Sequence, residues 1–187
     1  MKSVSMSGSL RENVGKKDAK AQRAQGFIPC VIYGGTEQLQ FVVEEAQFQH
    51  LLFTPEVKYV ELEVGDKKFE AIVQATQWHP ITDHLLHVDF LEVLEGKSIT
   101  IGIPIKITGT SPGVLRGGKL VKKMRKITVK GLLKDIPEEI TVDISNLEIN
   151  EMIKVGDLSI PNLTLVENPG TIIVNIASTR NVVEAQK

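Results

Sequence analysis

The chain of 187 residues has a single cysteine, no long apolar run and almost no net charge. One cysteine, Cys30, excludes an internal disulfide framework and favours a reducing cytoplasm. No stretch approaches the apolar length needed to span a bilayer, and the first residues lack a signal-peptide pattern. We therefore expect a cytoplasmic protein without a membrane partner, in which Cys30 is a small buried hydrophobe rather than a nucleophile.

The net charge of −1 hides an uneven distribution along the chain. The first segment is basic, residues 31–90 are acidic, and a second basic segment spans residues 116–126. The cations of the first segment are Lys2, Arg11, Lys16, Lys17, Lys20 and Arg23. Blocks of this kind indicate basic patches on an otherwise acidic body, with a merely solvated charged surface as the alternative.

Two regimes of pattern meet near residue 95, which predicts two domains, at residues 1–94 and 95–187. In the first, strands are expected at residues 3–10, 29–33, 39–43, 59–64, 69–77 and 85–93. Helices are expected at residues 15–25 and 44–53, and Gly65-Asp66 predicts a hairpin turn. Five or six short strands with two helices are typical of a small β-barrel.

Beyond residue 95 the pattern becomes almost wholly β. Isoleucine at every second position from Ile99 to Ile107 predicts a long strand. Pro104 within it favours a sheet edge, because proline lacks the N–H that a central strand needs. Further strands are expected at residues 127–132, 140–144 and 171–176. The fold is therefore predicted to be mainly β with a few short helices, an N-terminal β-barrel followed by a β-rich C-terminal domain.

The segment His87-Val88-Asp89-Phe90 is the most informative of the first domain. Side chains alternate along a strand, so His87 and Asp89 share one face, while Val88 and Phe90, continued by Leu86, form the core face. In nucleic-acid recognition a carboxylate accepts hydrogen bonds from base amino groups, while lysine and arginine hold the phosphates. A carboxylate on a strand of a partly basic domain therefore favours nucleic-acid recognition.

The predicted helix at residues 15–25 supplies the cations for such a role. Lys16, Lys20 and Arg23 share one face by the helical period, and Arg11 lies just upstream. Arginine holds phosphates bidentately, so Arg11 and Arg23 are the stronger candidates. A solvated helix face is the alternative interpretation.

Three histidines, His79, His84 and His87, lie close to Asp83 and Asp89 in the sequence, which raises the alternative of a metal site or a hydrolase. No cysteine assists, and His84 and His87 face opposite sides of the predicted strand. No nucleophile stands beside the imidazole and carboxylate pair. We predict no catalytic residue, no metal site and no cofactor, and structural histidines or a protein-interaction module stay open as alternatives.

The second basic segment starts at the glycine pair Gly117-Gly118 and alternates basic and apolar residues. A strand or ribbon with one charged face could hold RNA phosphates. It could equally be an edge strand that lysines protect against aggregation. The sequence leaves both open. The cations are Arg116, Lys119, Lys122, Lys123, Arg125 and Lys126.

Four segments of the chain resemble one known family. RAQGFIPCVIYG at residues 23–34 resembles its R-R/K-x-G-K-I/L-P-x-V-I/L-Y-G segment, and QWHP at 77–80 followed by LHVDFL at 86–91 resembles Q-x-H-P…L-H-V-D-F-L. GVLRGGKL at 113–120 and IPEEITVDISNL at 136–147 resemble motifs of its C-terminal domain. The family is the bacterial large-subunit ribosomal protein number twenty-five, in the long two-domain form also called general stress protein CTC.

The resemblance implies an N-terminal β-barrel that binds 5S ribosomal RNA at its loop E region. Carried over by position, the family's RNA contacts fall on Arg11, Arg23, Tyr33, His87 and Asp89. Charge and neighbourhood add three residues to this set: Lys16, Lys20 and Gln77. Ala24 and Phe27 stand where the family has basic residues, which lowers the local positive charge.

The resemblance also implies a place in the large ribosomal subunit and a monomer off the ribosome. For the first domain, a barrel that binds a tRNA anticodon stays open as an alternative, because a fold does not fix the RNA that it binds. The C-terminal domain could contact 23S rRNA, neighbouring ribosomal proteins or stress-related partners. The sequence does not choose between these partners.

Overall fold

A computed structural model describes residues 1–179 of the chain, apart from residues 12, 14, 36, 55, 66 and 95. The chain divides into two compact units, one from Met1 to Lys97 and one that begins at Ser98. Both are built mainly from strands with a few short helices, which confirms the expected fold class. Within the described ranges, no helix is long and apolar enough to cross a membrane.

The first unit is a closed six-stranded barrel. Its strands are β1 (Lys2–Leu10), β2 (Phe27–Tyr33), β3 (Leu39–Glu44), β4 (Lys58–Val64), β5 (Lys67–Trp78) and β6 (Leu85–Glu92). The order around the barrel is β1-β3-β2-β6-β5-β4. β1 pairs in parallel with β4, and β2 with β6, whereas the other neighbours are antiparallel. β4 and β5 form the predicted hairpin; Gly65 in its turn has φ 59°, and Asp66 lies outside the described residues.

The barrel interior is filled by alternate side chains of its strands. Phe41 and Phe90 are fully buried, with ring centroids 5.8 Å apart, and Phe48 stacks on Phe90 at 6.5 Å. Burying each such side chain contributes roughly 1.5–3 kcal/mol to folding. Cys30 is also in this core, and burial raises the pKa of its thiol far above the usual range, as expected of a small hydrophobe.

Two helical segments flank the barrel. Helix α1 (Lys16–Ala24) follows the prediction closely. The helix expected at residues 44–53 is instead a 3-10 turn, Glu45–Phe48, followed by one short turn, α2 (Gln49–Leu52). Phe48 and Leu51, three residues apart, both enter the core. The segment is therefore helical over nearly the predicted range, but its first turn has the tighter 3-10 geometry in place of the α-helical one.

The predicted core face of β6 needs a correction at its start. Val88 and Phe90 are fully buried as expected, but the buried residue before them is Leu85, 3% exposed, rather than Leu86. The pairing of β5 with β6 shifts register between Gln77 and Trp78, so that Trp78 faces Leu85. An irregularity of this kind reverses the alternation locally, which simple period-two reasoning does not include.

The second unit contains two sheets. Its strands are β7 (Ile99–Thr108), β8 (Lys119–Lys122), β9 (Lys126–Gly131), β10 (Ile140–Asp143), β11 (Met152–Lys154), β12 (Thr164–Leu165) and β13 (Ile172–Ala177). One sheet has the order β10-β7-β9-β12 and the other β11-β13-β8. A short helix, α3 (Pro112–Leu115), is capped by the buried Ser111, whose side chain accepts from the Gly113 and Val114 amides.

Pro104 does not lie on an edge strand. β7 has neighbours on both sides, because β9 pairs with its first part up to Pro104, whereas β10 pairs with it only from Ile105 onward. The proline therefore occupies the position where one side of the strand has no partner yet. Its missing N–H removes no ladder hydrogen bond on the β10 side.

Candidate nucleic-acid interface

The outer face of strands β5 and β6 brings three of the predicted residues together. Gln77 is the direct cross-strand partner of His87, and Ala75 is the partner of Asp89. Direct antiparallel partners have Cβ atoms about 4.5–5.5 Å apart on the same face. Because Val88 and Phe90 point into the core, the imidazole, the carboxylate and the amide all point outward. Ala75, which sequence reasoning missed, leaves space beside the carboxylate.

The side chains of His87 and Asp89 lie close together. Their Nδ1 and Oδ1 atoms are 2.7 Å apart, and the side chains are 27% and 28% exposed. Nδ1 nevertheless makes no aligned hydrogen bond, since the two groups lie side by side on one strand. Within the described part of the chain no other group donates to Asp89, so its carboxylate keeps acceptor capacity for a ligand.

Two contacts fix helix α1 on the barrel. Nη2 of Arg11 lies 2.6 Å from Oδ2 of Asp18, and Nε of Arg23 donates to the backbone oxygen of Leu86 at 2.9 Å. The helix has no buried residue, so its packing on β2 depends little on apolar burial. These polar contacts therefore determine where the cations of the helix lie relative to β6.

The Arg11 guanidinium, which the sequence predicts as an RNA contact, is paired within the protein. Its side chain is only 8% exposed, and Nε is buried without a hydrogen-bond partner among the described residues. An arginine that grips phosphate needs an accessible guanidinium. The geometry thus gives Arg11 a contact with α1 where the sequence predicts a contact with phosphate.

The cations of α1 are more accessible. Arg23 is half-buried, and its Nη atoms have no partner among the described residues, because only Nε is used in binding Leu86. Lys16 and Lys20 are exposed and form no ion pair within the same ranges. Arg23 therefore borders His87 through the Leu86 carbonyl, while the two lysines extend the positive surface along the helix.

Tyr33 lies at the far end of the same surface. It is half-buried at the end of β2, where it pairs with Leu91 of β6. Gly34 follows with φ 98°, and Nζ of Lys97 donates to its backbone oxygen at 3.1 Å. This φ lies in the left-handed region that favours glycine, and a Cβ on Gly34 would also meet the side chain of Leu91.

The candidate residues thus follow β6 in a strip. Arg23 is attached at Leu86, Gln77 faces His87, and Tyr33 pairs at Leu91. Five residue steps along a strand span roughly 16 Å. Of the predicted set, the strip contains Arg23, Tyr33, Gln77, His87 and Asp89, whereas Lys16 and Lys20 lie on the helix and Arg11 is largely buried.

The remaining histidines do not form a metal site. Nδ1 of His79 accepts from the backbone N–H of Thr82 at 3.2 Å and of Ile81 at 3.4 Å, so this imidazole organises its own loop. His84 lies 3.7 Å from Glu45. Across the described residues, no group of three or more His, Cys, Asp or Glu could hold a metal ion.

For the basic segment of the second unit, both interpretations stay open: a protected edge strand and a surface that could hold RNA phosphates. β8 is the edge strand of its sheet, which fits protection against aggregation. Lys122 donates to the Ile105 carbonyl at 2.6 Å, and Arg116 pairs with Glu148 at 3.4 Å. The other cations are exposed without an ion pair in the described ranges: Lys119, Lys123, Arg125 and Lys126.

Comparison with known proteins finds a matching family model for each of the two units. Residues 6–90 match the model of the Ribosomal L25p family, and residues 98–180 match that of the ribosomal protein TL5 C-terminal domain. A large ribosomal subunit protein bL25 from Azobacteroides pseudotrichonymphae is 39% identical over 96% of both chains. Its namesake from Cytophaga hutchinsonii is 40% identical over 97% of this chain and 95% of the relative. One from Porphyromonas gingivalis is 39% identical over 96% and 95%.

The two matches follow the same order as the two units of the structure, the barrel first and the β-rich unit second. This combination defines a two-domain protein of the ribosomal class. The chain belongs to the Ribosomal L25p family and carries a TL5-type C-terminal domain. This confirms the resemblance seen in the sequence. It also confirms that the chain is a structural protein rather than an enzyme.

Proposed function

We propose that this protein is a component of the large subunit of the bacterial cytoplasmic ribosome, where its barrel binds 5S rRNA at the loop E region. The observation that carries the proposal is the strip along β6, in which Gln77, His87 and Asp89 share one outward face beside Arg23. Family membership supports the ribosomal role. The β-rich unit from Ser98 is an accessory domain in this account.

Affinity comes mainly from the cations beside the strip. Lys16, Lys20 and Arg23 displace counterions from phosphates, so binding weakens as salt rises. Arg23 is the best placed of the three, because its Nε contact with Leu86 holds the guanidinium next to His87. The terminal nitrogens can then form the bidentate contact that arginine makes with phosphate.

Selectivity comes from Asp89. Its carboxylate accepts hydrogen bonds from base amino groups, and it repels phosphate wherever no donor meets it. Regular A-form RNA has a deep, narrow major groove that side chains do not read, so a base donor must be offered by irregular geometry or by the open minor groove. Loop E, as an irregular region, meets this requirement. Gln77 adds an amide next to His87 that can donate and accept.

Arg11 and Tyr33 complete the arrangement. Arg11 acts as a positioning residue, because its ion pair with Asp18 holds α1 against the barrel. Tyr33 offers an aromatic face and a hydroxyl at the other end of the strip, where the Gly34 turn and Lys97 fix the backbone.

Binding of the full chain to 5S rRNA and to a plain duplex of equal length, measured across a salt series, tests the proposal. We expect tight binding to 5S rRNA and weaker, salt-sensitive binding to the duplex. Asp89→Ala should reduce the ratio of the two affinities. Equal affinity of the wild type for both RNAs would mean that the charges act without selectivity, and the proposal would fail.

A further inference from the structure

Two aromatic side chains are exposed together at one end of the barrel, although aromatic residues make up only 5% of the chain. Phe53 is 71% exposed and Trp78 is 37% exposed. Their ring centroids are 5.9 Å apart and their planes are inclined at 74°, an edge-to-face contact. The barrel core is filled by other side chains, including Phe41, Phe48 and Phe90. The exposed pair is therefore apolar surface that core packing does not use.

The surface that Trp78 offers to a ligand is its indole ring rather than a polar group. Trp78 is the partner of the core residue Leu85, which places it at the open end of the barrel rather than on the outer face with Gln77. Its Nε1 donates to the Thr76 hydroxyl at 3.0 Å. Since the only polar group of the indole is already satisfied, a ligand here would contact the π surface.

This end of the barrel is continuous with the proposed RNA-binding strip. Trp78 directly follows Gln77, and the loop after it is shaped by the His79 imidazole. The same loop and Arg23 line one cleft, to which His79, Thr82 and His84 contribute. Glu45 also lines this cleft, and His79, which directly follows Trp78 in the chain, brings it close to the exposed rings. An RNA strand with a phosphate at Arg23 would therefore pass near Trp78.

We propose that Trp78, in contact with Phe53, stacks on an unpaired nucleobase of the RNA that the barrel binds. The inference rests on the proposed function and extends its footprint from the outer strip to the end of the barrel. Every base has a π face, so stacking tolerates any sequence, and base–aromatic contacts are a recurring means of holding single-stranded nucleotides. A second copy of the chain would be the competing occupant of such an apolar surface.

The unmodified protein offers a direct test, because Trp78 is the only tryptophan of the chain. Intrinsic fluorescence would be recorded while 5S rRNA is added, alongside an independent filter-binding titration of the same RNA. We expect quenching that saturates with the binding curve and protection of the indole from iodide. Binding on the filter with unchanged fluorescence and iodide access would overturn the stacking proposal while the proposed function stands. Absence of binding on the filter would remove both.

Variants separate stacking from general apolar contact. Trp78→Ala should weaken RNA binding by roughly 5- to 150-fold, as base–aromatic stacking does, while Trp78→Phe retains most of the affinity. The slope of affinity against salt should not change, because no phosphate contact is lost. Ile81→Ala, a neighbouring change at an 85% exposed residue, serves as the control and should have little effect. Equal affinities of Trp78→Ala and wild type, or a fluorescence change that follows protein concentration without RNA, would contradict the proposal.

Discussion

The barrel has two outer faces of opposite character on one shared core. On the β1–β4–β5 side, exposed serines of β1 pair with acids of β4, with Ser5 opposite Glu61 and Ser7 opposite Glu63. Glu61 also faces Glu70 of β5. On the β2–β6 side, the strip of His87 and Asp89 lies beside the basic helix α1, whose Arg23 contacts the Leu86 carbonyl.

The difference shows how one set of strands can direct an anionic partner. The inner alternate positions are apolar on both sides, so the fold does not depend on the outer residues. The outer acids repel phosphate from the β1–β4–β5 side, whereas Lys16, Lys20 and Arg23 attract it to the other. Within the acidic face, Lys68 pairs with Glu63, which raises the pKa of Lys68 and neutralises one carboxylate locally.

The largest expected effect comes from breaking the core that both faces share. Phe90→Ala removes a fully buried ring that contacts Phe41 and Phe48. It should lower the free energy of unfolding by about 3–5 kcal/mol, measured by urea denaturation. The matched control is Phe53→Ala, a change at an exposed ring, which should alter stability by no more than about 0.5 kcal/mol. Equal losses from the two variants would contradict the assignment of the core.

The next largest effect should distinguish the carboxylate of Asp89, on the strip along β6, from that of Glu61 on the acidic face. Asp89→Ala is expected to reduce discrimination between 5S rRNA and a plain duplex by about 1–3 kcal/mol, because a base donor loses its acceptor. Glu61→Ala on the acidic face should leave that discrimination unchanged and raise affinity for both RNAs slightly, since it removes repulsion. Competition binding of both RNAs to each variant checks this. If Glu61→Ala lost selectivity as well, the two faces would not differ in function.

Salt dependence separates a phosphate contact from a positioning contact. Arg23→Gln should reduce the slope of log affinity against log salt by about 0.7–0.9, the value for one phosphate. Arg11→Gln should weaken binding with an unchanged slope, because Arg11 acts through Asp18 and α1. A slope that fell equally in both variants would restore Arg11 as a phosphate contact.

The smallest expected effect is a gain. Ala24 is exposed at the end of α1, at a position where the resemblance seen in the sequence implies a basic residue. Ala24→Arg should tighten binding to 5S rRNA a few-fold at low salt and less at high salt, as one further phosphate contact would. Ser5→Arg on the opposite face is the control and should give only a weak, nonselective increase. A larger gain from Ser5→Arg would contradict the proposal that the RNA binds on the β6 side of the barrel.

Period-two alternation predicted the strands of the barrel well, since Val88 and Phe90 are buried and His87 and Asp89 face outward. The same reasoning failed at Leu86, because a register shift opposite Gln77 is a property of the paired strands and not of one strand alone. The segment predicted as a helix at 44–53 is helical from Glu45 to Leu52, but the hydrophobic pattern did not indicate that its first turn is 3-10.

The charge pattern predicted which segments carry the cations, but not which of these side chains are buried or paired. Arg11 and Arg23 look equivalent in the sequence, yet one is paired with Asp18 and largely buried while the other binds a backbone carbonyl. Their roles depend on how β1, α1 and β6 lie next to one another in the folded barrel. These elements are far apart in the sequence, so the sequence pattern does not give their contacts. For Pro104, the missing information was the position at which β10 starts to pair.

We expect the RNA to meet the strip along β6, to which Gln77 of β5 also belongs, and not the serine and glutamate face of β1 and β4. Chemical-shift mapping of the protein on titration with an RNA fragment that contains loop E tests it most directly. We expect the strongest perturbations at Arg23, Tyr33, Gln77, His87 and Asp89, with little change at Ser5, Glu61 and Glu63. Perturbations concentrated on the serine and glutamate face, or spread equally over both faces, would contradict it.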